Sequence, residues 1–224
     1  MNHSDSNHQL AKPLHNGSLL NSKTILTDCS QSKYTKHAPH DVSTLNQLTS
    51  VMRSLWGDLI DTEGMQDTPK RVLKHWHNIT QGLYQDPLEP LQKTFPCDHD
   101  EIVLVKDIPF NSLCEHHLLP FFGVAHVAYI PQGRVVGLSK IPRCLDIIAA
   151  RPQLQERLTD DLAKAINTTL NPKGVAVIMS AEHTCMSSRG VLKHGAKTVT
   201  SCMLGVFRDD LAARSEVLNL VKIL

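Results

Sequence analysis

No stretch of this chain approaches the ~20 consecutive apolar residues that a membrane-spanning helix requires. Its first residues, Met1 to Gln9, lack a basic segment followed by an apolar one, so they do not read as a secretory signal. Charge of one sign is also missing. With 23 Lys and Arg against 22 Asp and Glu, the formal net charge is +1. That balance removes any bulk electrostatic argument for a nucleic-acid or membrane partner. The six cysteines, at positions 29, 97, 114, 144, 185 and 202, form no short regular framework. In a chain of this size the pattern favours reduced thiols and metal ligation over disulfides, and the cytoplasm as compartment. There is no internal repeat. A hydrophobic fraction of 41% and a charged fraction of 20% leave an ordinary globular protein, one sizeable domain with an appendage.

What the chain does have is chemistry in two short clusters. Cys114-Glu115-His116-His117 is answered much later by His183-Thr184-Cys185. Cys114 and His117 are three positions apart, so one bend can turn both toward a single cation. In an extended segment His183 and Cys185 point to the same side, because side chains alternate with period two. Thiolate plus imidazole is a donor set that suits Zn²⁺. Spacing alone leaves two kinds of site open. One is a closed structural site using Cys114, His117, Cys185 and a fourth ligand such as His183. The other is a catalytic site with three ligands and spare histidines beside it. Histidines that merely fill hydrogen-bonding roles in a core are the bland alternative.

The pattern along the chain places these clusters. Residues 1–40 are rich in Asn, Ser, His, Gln, Lys and Thr, and read as a mobile tail that cannot bury enough surface to order itself. An N-terminal helical region is expected over 41–96. Leu45, Leu48, Met52, Leu55 and Leu59 recur at helical spacing. Thr68-Pro69 reads as a helix start, with Thr as cap, and Gly82 as its end. The remaining 97–224 reads as one catalytic domain. Ile102–Val105 and Val124–Ile130 are predicted strands with the Cys114 cluster in the connection between them. Helices follow from Ser139 to about Ala150 and from Gln153 to Leu170, then a turn at Asn171–Gly174. Strands at Val175–Ser180 and Thr198–Phe207 and a last helix carrying Leu211, Leu218 and Val221 complete the chain. The order β-β-α-α-β-β predicts an α+β layer arrangement.

Six stretches in this order resemble the GTP cyclohydrolase I family. They are Ser112-Leu-Cys-Glu-His-His117, Gly137-Leu-Ser-Lys140, Gln155-Glu-Arg-Leu158, His183-Thr-Cys-Met186, Arg189-Gly190 and Thr198-Val-Thr-Ser201. The likeness runs from about Leu45 to the C-terminus, and Cys144 stands where the family leads one to expect an aliphatic residue. The resemblance implies a tunnelling fold, an antiparallel four-stranded sheet with two helices on one face. It also implies hydrolysis of GTP to formate and 7,8-dihydroneopterin triphosphate, the first step of pterin and tetrahydrofolate synthesis. Cys114, His117 and Cys185 become the ligands of one Zn²⁺ per subunit, with the fourth position open to water. His183 becomes the acid at the guanine imidazole ring, and His116 acts near the ribose. Glu156, supported by Gln155, reads guanine, because a carboxylate can accept from N1–H and the 2-amino group together. Arg71, Lys74, Lys140, Arg143 and Arg189 map onto triphosphate-binding positions, with Ser139 at a helix start that favours anions. The partners implied are GTP and copies of the same chain, as a decamer of two five-membered rings with active sites at subunit boundaries. Two other functions stay open on the residues themselves: a purine- or pterin-binding protein with structural zinc, and a different tunnelling-fold enzyme.

Overall fold

The computed structural model describes residues 42–222; the expected tail over 1–40 lies outside the described residues. Two helices come first, α1 (Val42–Trp56) and α2 (Thr68–Ile79). Thr68 is the first residue of α2 and caps nothing; Asp67 holds the cap position without a side-chain bond, and Pro69 sits in the first turn. The expected end at Gly82 falls in a separate 3-10 turn after α2. There Gly82 is required for close approach. A Cβ would lie 1.9 Å from the Ile147 carbonyl oxygen, and the Gly82 N–H donates to Ala150 O.

The connector that follows ends in β1 (Thr94–Pro96), which pairs antiparallel with β4 (Arg134–Val136). This small ribbon stitches the N-terminal region to the body of the protein. The main sheet is built from β2 (Val103–Cys114), β3 (Pro120–Ile130), β6 (Gly174–His183) and β7 (Lys197–Gly205), antiparallel throughout, in the order β2-β3-β6-β7. A two-residue strand, β5 (Pro152–Gln153), adds to β2 in parallel. The sheet is therefore five-stranded and mixed, where the family resemblance implied four antiparallel strands.

β2 runs far past the expected Val105. A bulge between Val105 and Ile108, with Asp107 at φ 57°, resets the alternation, and Pro109 is tolerated because only β3 pairs with that stretch. The Cys114 cluster thus begins at the last residue of a strand.

Alternation along the strands sorts the core into two layers. Val127, Tyr129, Val175, Val177 and Met179 face helices α3 (Lys140–Ala149) and α4 (Gln155–Leu170), which bury Ile141, Leu145, Ile148, Leu158, Leu162 and Ile166 against them. Cys144 joins this layer fully buried, and burial pushes its thiol up to about 12. It packs as a small hydrophobe, which explains how it substitutes for an aliphatic residue. Ala128, Ala176 and Met203 face the other way, where Phe207 and Val217 cover them. Phe207 belongs to a short turn of helix, α6 (Val206–Asp209), and Val217 to α7 (Leu211–Lys222). No described helix is long and apolar enough to cross a membrane.

Candidate active site

The ends of β2 and β6, the start of β3 and the N-terminus of α4 meet at one end of the sheet. Cys114 closes β2, and a tight turn returns the chain to β3. In that turn Leu118 N–H donates to Cys114 O, Cys114 N–H donates to Leu119 O, and Leu118 takes φ 53°. Phe121 at the start of β3 is paired in register with His183 at the end of β6. The chain then turns into a one-turn helix, α5 (Thr184–Ser187), which carries Cys185. Cys114 is 5% exposed, and the Cys185 thiol faces it within hydrogen-bonding reach. Burial first, and Cys114 next, raise the pKa of Cys185.

The two histidines of the turn diverge. His116 Nδ1 lies 3.8 Å from Cys114 Sγ. His117 Nε2 lies 2.7 Å from Arg189 Nη1. Arg has only donors, so this bond leaves His117 Nε2 as acceptor, the lone pair a metal would use. Among the described residues, no three His, Cys, Asp or Glu side chains are gathered in metal-holding geometry. Two thiols stand together with His116 beside Cys114, and His117 is turned to Arg189. As chemistry, the donor set of two sulfurs and an imidazole nitrogen fits Zn²⁺.

His183 is held on two sides. Its ring stacks on Phe121 at 4.5 Å between centroids and 6° between planes. Its Nε2 lies 2.8 Å from Gln155 Oε1. Burial lowers its pKa, and the nearby Glu156 carboxylate opposes that shift. Glu156 itself is exposed in the first turn of α4, where the helix dipole favours an anion. It lines a cavity of about 540 Å³ with Arg157, Thr159, Asp160, Lys164 and Thr200. Gln155, its neighbour, is 1% exposed.

Several contributors receive no role from the sequence. Gln153 pairs with Cys114 across β5–β2, and its backbone carbonyl accepts from Glu115 N–H. Arg157 donates to Gln153 Oε1 at 2.8 Å and pairs with Glu115. Together they fix the turn that carries His116 and His117. Arg157 and Glu115 lie inside the stretches that carry the resemblance, which gives neither a role, and Gln153 falls outside them.

The remaining expected cations lie elsewhere. Ser112, two residues before Cys114, donates to Ala149 O at the C-terminal end of α3. Ser139 and Lys140 sit at the opposite end of that ten-residue helix, about 14–15 Å away by helical rise, and Arg143 lies about 9 Å away along it. Arg71 bonds Gly64 O and Thr68 Oγ1, and Lys74 is exposed on the same helix. Among the described residues, no hydrogen bond or ion pair joins Arg71, Lys74, Lys140 or Arg143 to the cysteine cluster. Arg189 alone of the five is in place beside it.

Residues 46–222 match the family model described as GTP cyclohydrolase I. Over 167 residues the chain is 58% identical to proteins named GTP cyclohydrolase 1 from Bacillus mycoides and Bacillus cereus, covering 74% of this chain and 88% of each relative. A relative of that name from Bacillus anthracis matches to the same extent. Among solved structures, the apo form of the archaeosine synthase QueF-Like aligns with 46% of this chain and 93% of its own, at 20% identity and a TM-score of 0.38.

Proposed function

The chain belongs to the GTP cyclohydrolase I family, and on that premise we propose how its residues divide the reaction. The enzyme hydrolyses GTP and forms 7,8-dihydroneopterin triphosphate, the first step of pterin and folate synthesis. The observation that carries the division of roles is the convergence of Cys114, Cys185, His183 and Glu156 at one end of the sheet.

Cys114, Cys185 and His117 would hold Zn²⁺, with His117 released from Arg189. Zinc bound there supplies Lewis acidity that lowers the pKa of water from ~15.7 toward ~7. Glu156 binds the guanine edge by accepting from N1–H and the 2-amino group, a donor pair adenine lacks. Water adds at C8. His183 gives a proton to the ring nitrogen as the first C8–N bond opens to a formamide. A second water cleaves the remaining C8–N bond and formate leaves, one water being returned when the pterin ring closes. His116 works on the ribose side of the same space, where the sugar rearranges and its carbons close the pterin ring. Arg189 steadies the phosphate end once His117 is no longer its partner.

A complete triphosphate site then requires a second copy of the chain. Lys140 and the α3 N-terminus at Ser139 lie nearly a helix length from the Ala149 end of α3 beside Ser112, and a neighbouring subunit delivers them together with Arg143. Two features support assembly. The outer edge of β7 has no strand beside it among the described residues, a liability that pairing between subunits removes. α1 also exposes Val51 and Leu55, and the 3-10 turn after it exposes Leu59. Five subunits closing a barrel, with two rings stacked, would cover the β7 edge and these faces.

The test is incubation of the full chain with GTP, GDP and ATP in parallel. Formate and a pterin chromophore should appear together with GTP and be absent with ATP. Binding of GTP with neither product would reduce the protein to a purine-binding module.

A further inference from the structure

The hydrogen-bond network behind His183 has a direction, and that direction fixes where its protons sit. Gln155 Nε2 lies 3.3 Å from Met179 O, 3.0 Å from Thr198 O and 3.1 Å from Thr200 Oγ1. Two of these neighbours are carbonyls, which only accept. The third is forced to accept as well. Thr159 Oγ1 donates its one hydrogen to Gln155 O at 2.8 Å. In the 2.6 Å contact between Thr159 Oγ1 and Thr200 Oγ1, Thr200 is therefore the donor, and its lone pair faces Gln155. All three neighbours present lone pairs to one end of the amide, so that end is the NH₂ group. Turned over, the amide oxygen would face three acceptors at a side chain that is 1% exposed.

The other end, Oε1, must then face His183 Nε2 at 2.8 Å, and an oxygen acceptor there demands a hydrogen on Nε2. We propose that Gln155 is a positioning residue: it holds the hydrogen of His183 on Nε2 in both charge states, so that the proton His183 exchanges with substrate is carried on Nδ1. Stacking on Phe121 blocks rotation of the ring out of this bond. The claim on Nδ1 rests on the reading of His183 as proton donor; the tautomer itself rests only on the network. Gln155 therefore acts through His183 and touches no substrate atom.

The experiment is solid-state ¹⁵N and ¹³C NMR of the full-length, zinc-loaded protein enriched in labelled histidine, with the His183 signal identified by its loss in His183→Gln. The expected spectrum shows a bonded hydrogen on Nε2 of His183 in the unaltered protein. A bare Nε2 overturns the proposal, and that measurement needs no variant at Gln155. In Gln155→Met, turnover should fall on the order of 10²-fold while GTP affinity stays within about two-fold, and the His183 signal should divide between two tautomers. Weakened GTP affinity with unchanged kcat would make Gln155 a substrate contact and sink the positioning role. Should Gln155→Met not fold, Thr200→Val removes one acceptor with little change in shape and should move kcat and the spectrum in the same direction, to a smaller extent. Normal formate release by His183→Gln would overturn the proton-donor reading, and with it the claim on Nδ1, independently of the tautomer result.

Discussion

Replacing Phe121 by Leu should destabilise the protein and slow it together. Phe121 is fully buried, meets Phe110 edge-on at 6.1 Å and 80°, and lies flat against His183. Loss of two aromatic contacts, each worth about 0.5–1.5 kcal/mol, combines with space that leucine leaves unfilled. The sum is about 2–3 kcal/mol. For a chain of this size that corresponds to a fall in Tm of about 5–10 °C, read by thermal unfolding at fixed protein concentration because assembly would contribute to Tm. Turnover should drop about ten-fold, since His183 keeps its bond to Gln155 but loses the surface that aligns its ring, and small misplacements are costly. A Tm within about 2 °C of the parent would refute the packing argument. A large fall in Tm with unchanged kcat would refute the claim that the stack positions His183.

Other perturbations address the site and its surroundings. Cys114→Ala, His117→Ala and Cys185→Ala should each lose most bound zinc and all formate release, whereas His116→Ala and His183→Ala should keep zinc and lose turnover. Metal analysis beside an activity assay decides this, and zinc lost from His183→Ala but kept by His117→Ala would reverse the ligand assignment. Glu156→Gln should weaken GTP binding by about 10–100-fold, the worth of charge-assisted bonds to the guanine edge, with little effect on folding; unchanged affinity returns Glu156 to an ordinary exposed carboxylate. Asp161 is 8% exposed, and burial raises its pKa against the pull of Arg151, Arg157 and Lys164. Its favourable contribution is full below the ordinary carboxylate value and is lost as pH rises through the raised folded value. Asp161→Asn should accordingly gain stability relative to the parent at pH 7, with the gain vanishing near pH 3.5. Urea unfolding across that range is the check, and a constant difference would show that Asp161 titrates normally.

The sequence made the α+β order legible because α3, α4 and the strands each repeat apolar residues at their own period. It misjudged β2, since the bulge at Asp107 resets the alternation, Pro109 and Asn111 are residue types common in turns, and only pairing with β3 shows the strand continuing to Cys114. β5 was beyond reach, because a two-residue strand has no period. Thr68 was misread as a cap because the choice between Asp67 and Thr68 depends on backbone angles. At the site, the clustered Cys and His residues were visible as types. Their grouping depends on register, and pairing of Phe121 with His183 is what brings the second cluster to the first. Gln155 was noticed for its motif, but its direction of hydrogen bonding emerges only from Thr159, Thr200 and two carbonyls brought together by α4, β6 and β7. The cations divide for a similar reason. Lys140 and Arg143 share α3, and only its placement shows that, among the described residues, neither is bonded to the cysteine cluster.

The most direct test of the account is the fate of a single carbon. Full-length protein loaded with zinc and given GTP labelled with ¹³C at C8 should release all of the label as formate, in one-to-one amount with the pterin formed. The label should be absent from the pterin. Retention of ¹³C in the heterocyclic product, or pterin formed without labelled formate, would contradict opening of the guanine ring at C8 by this site.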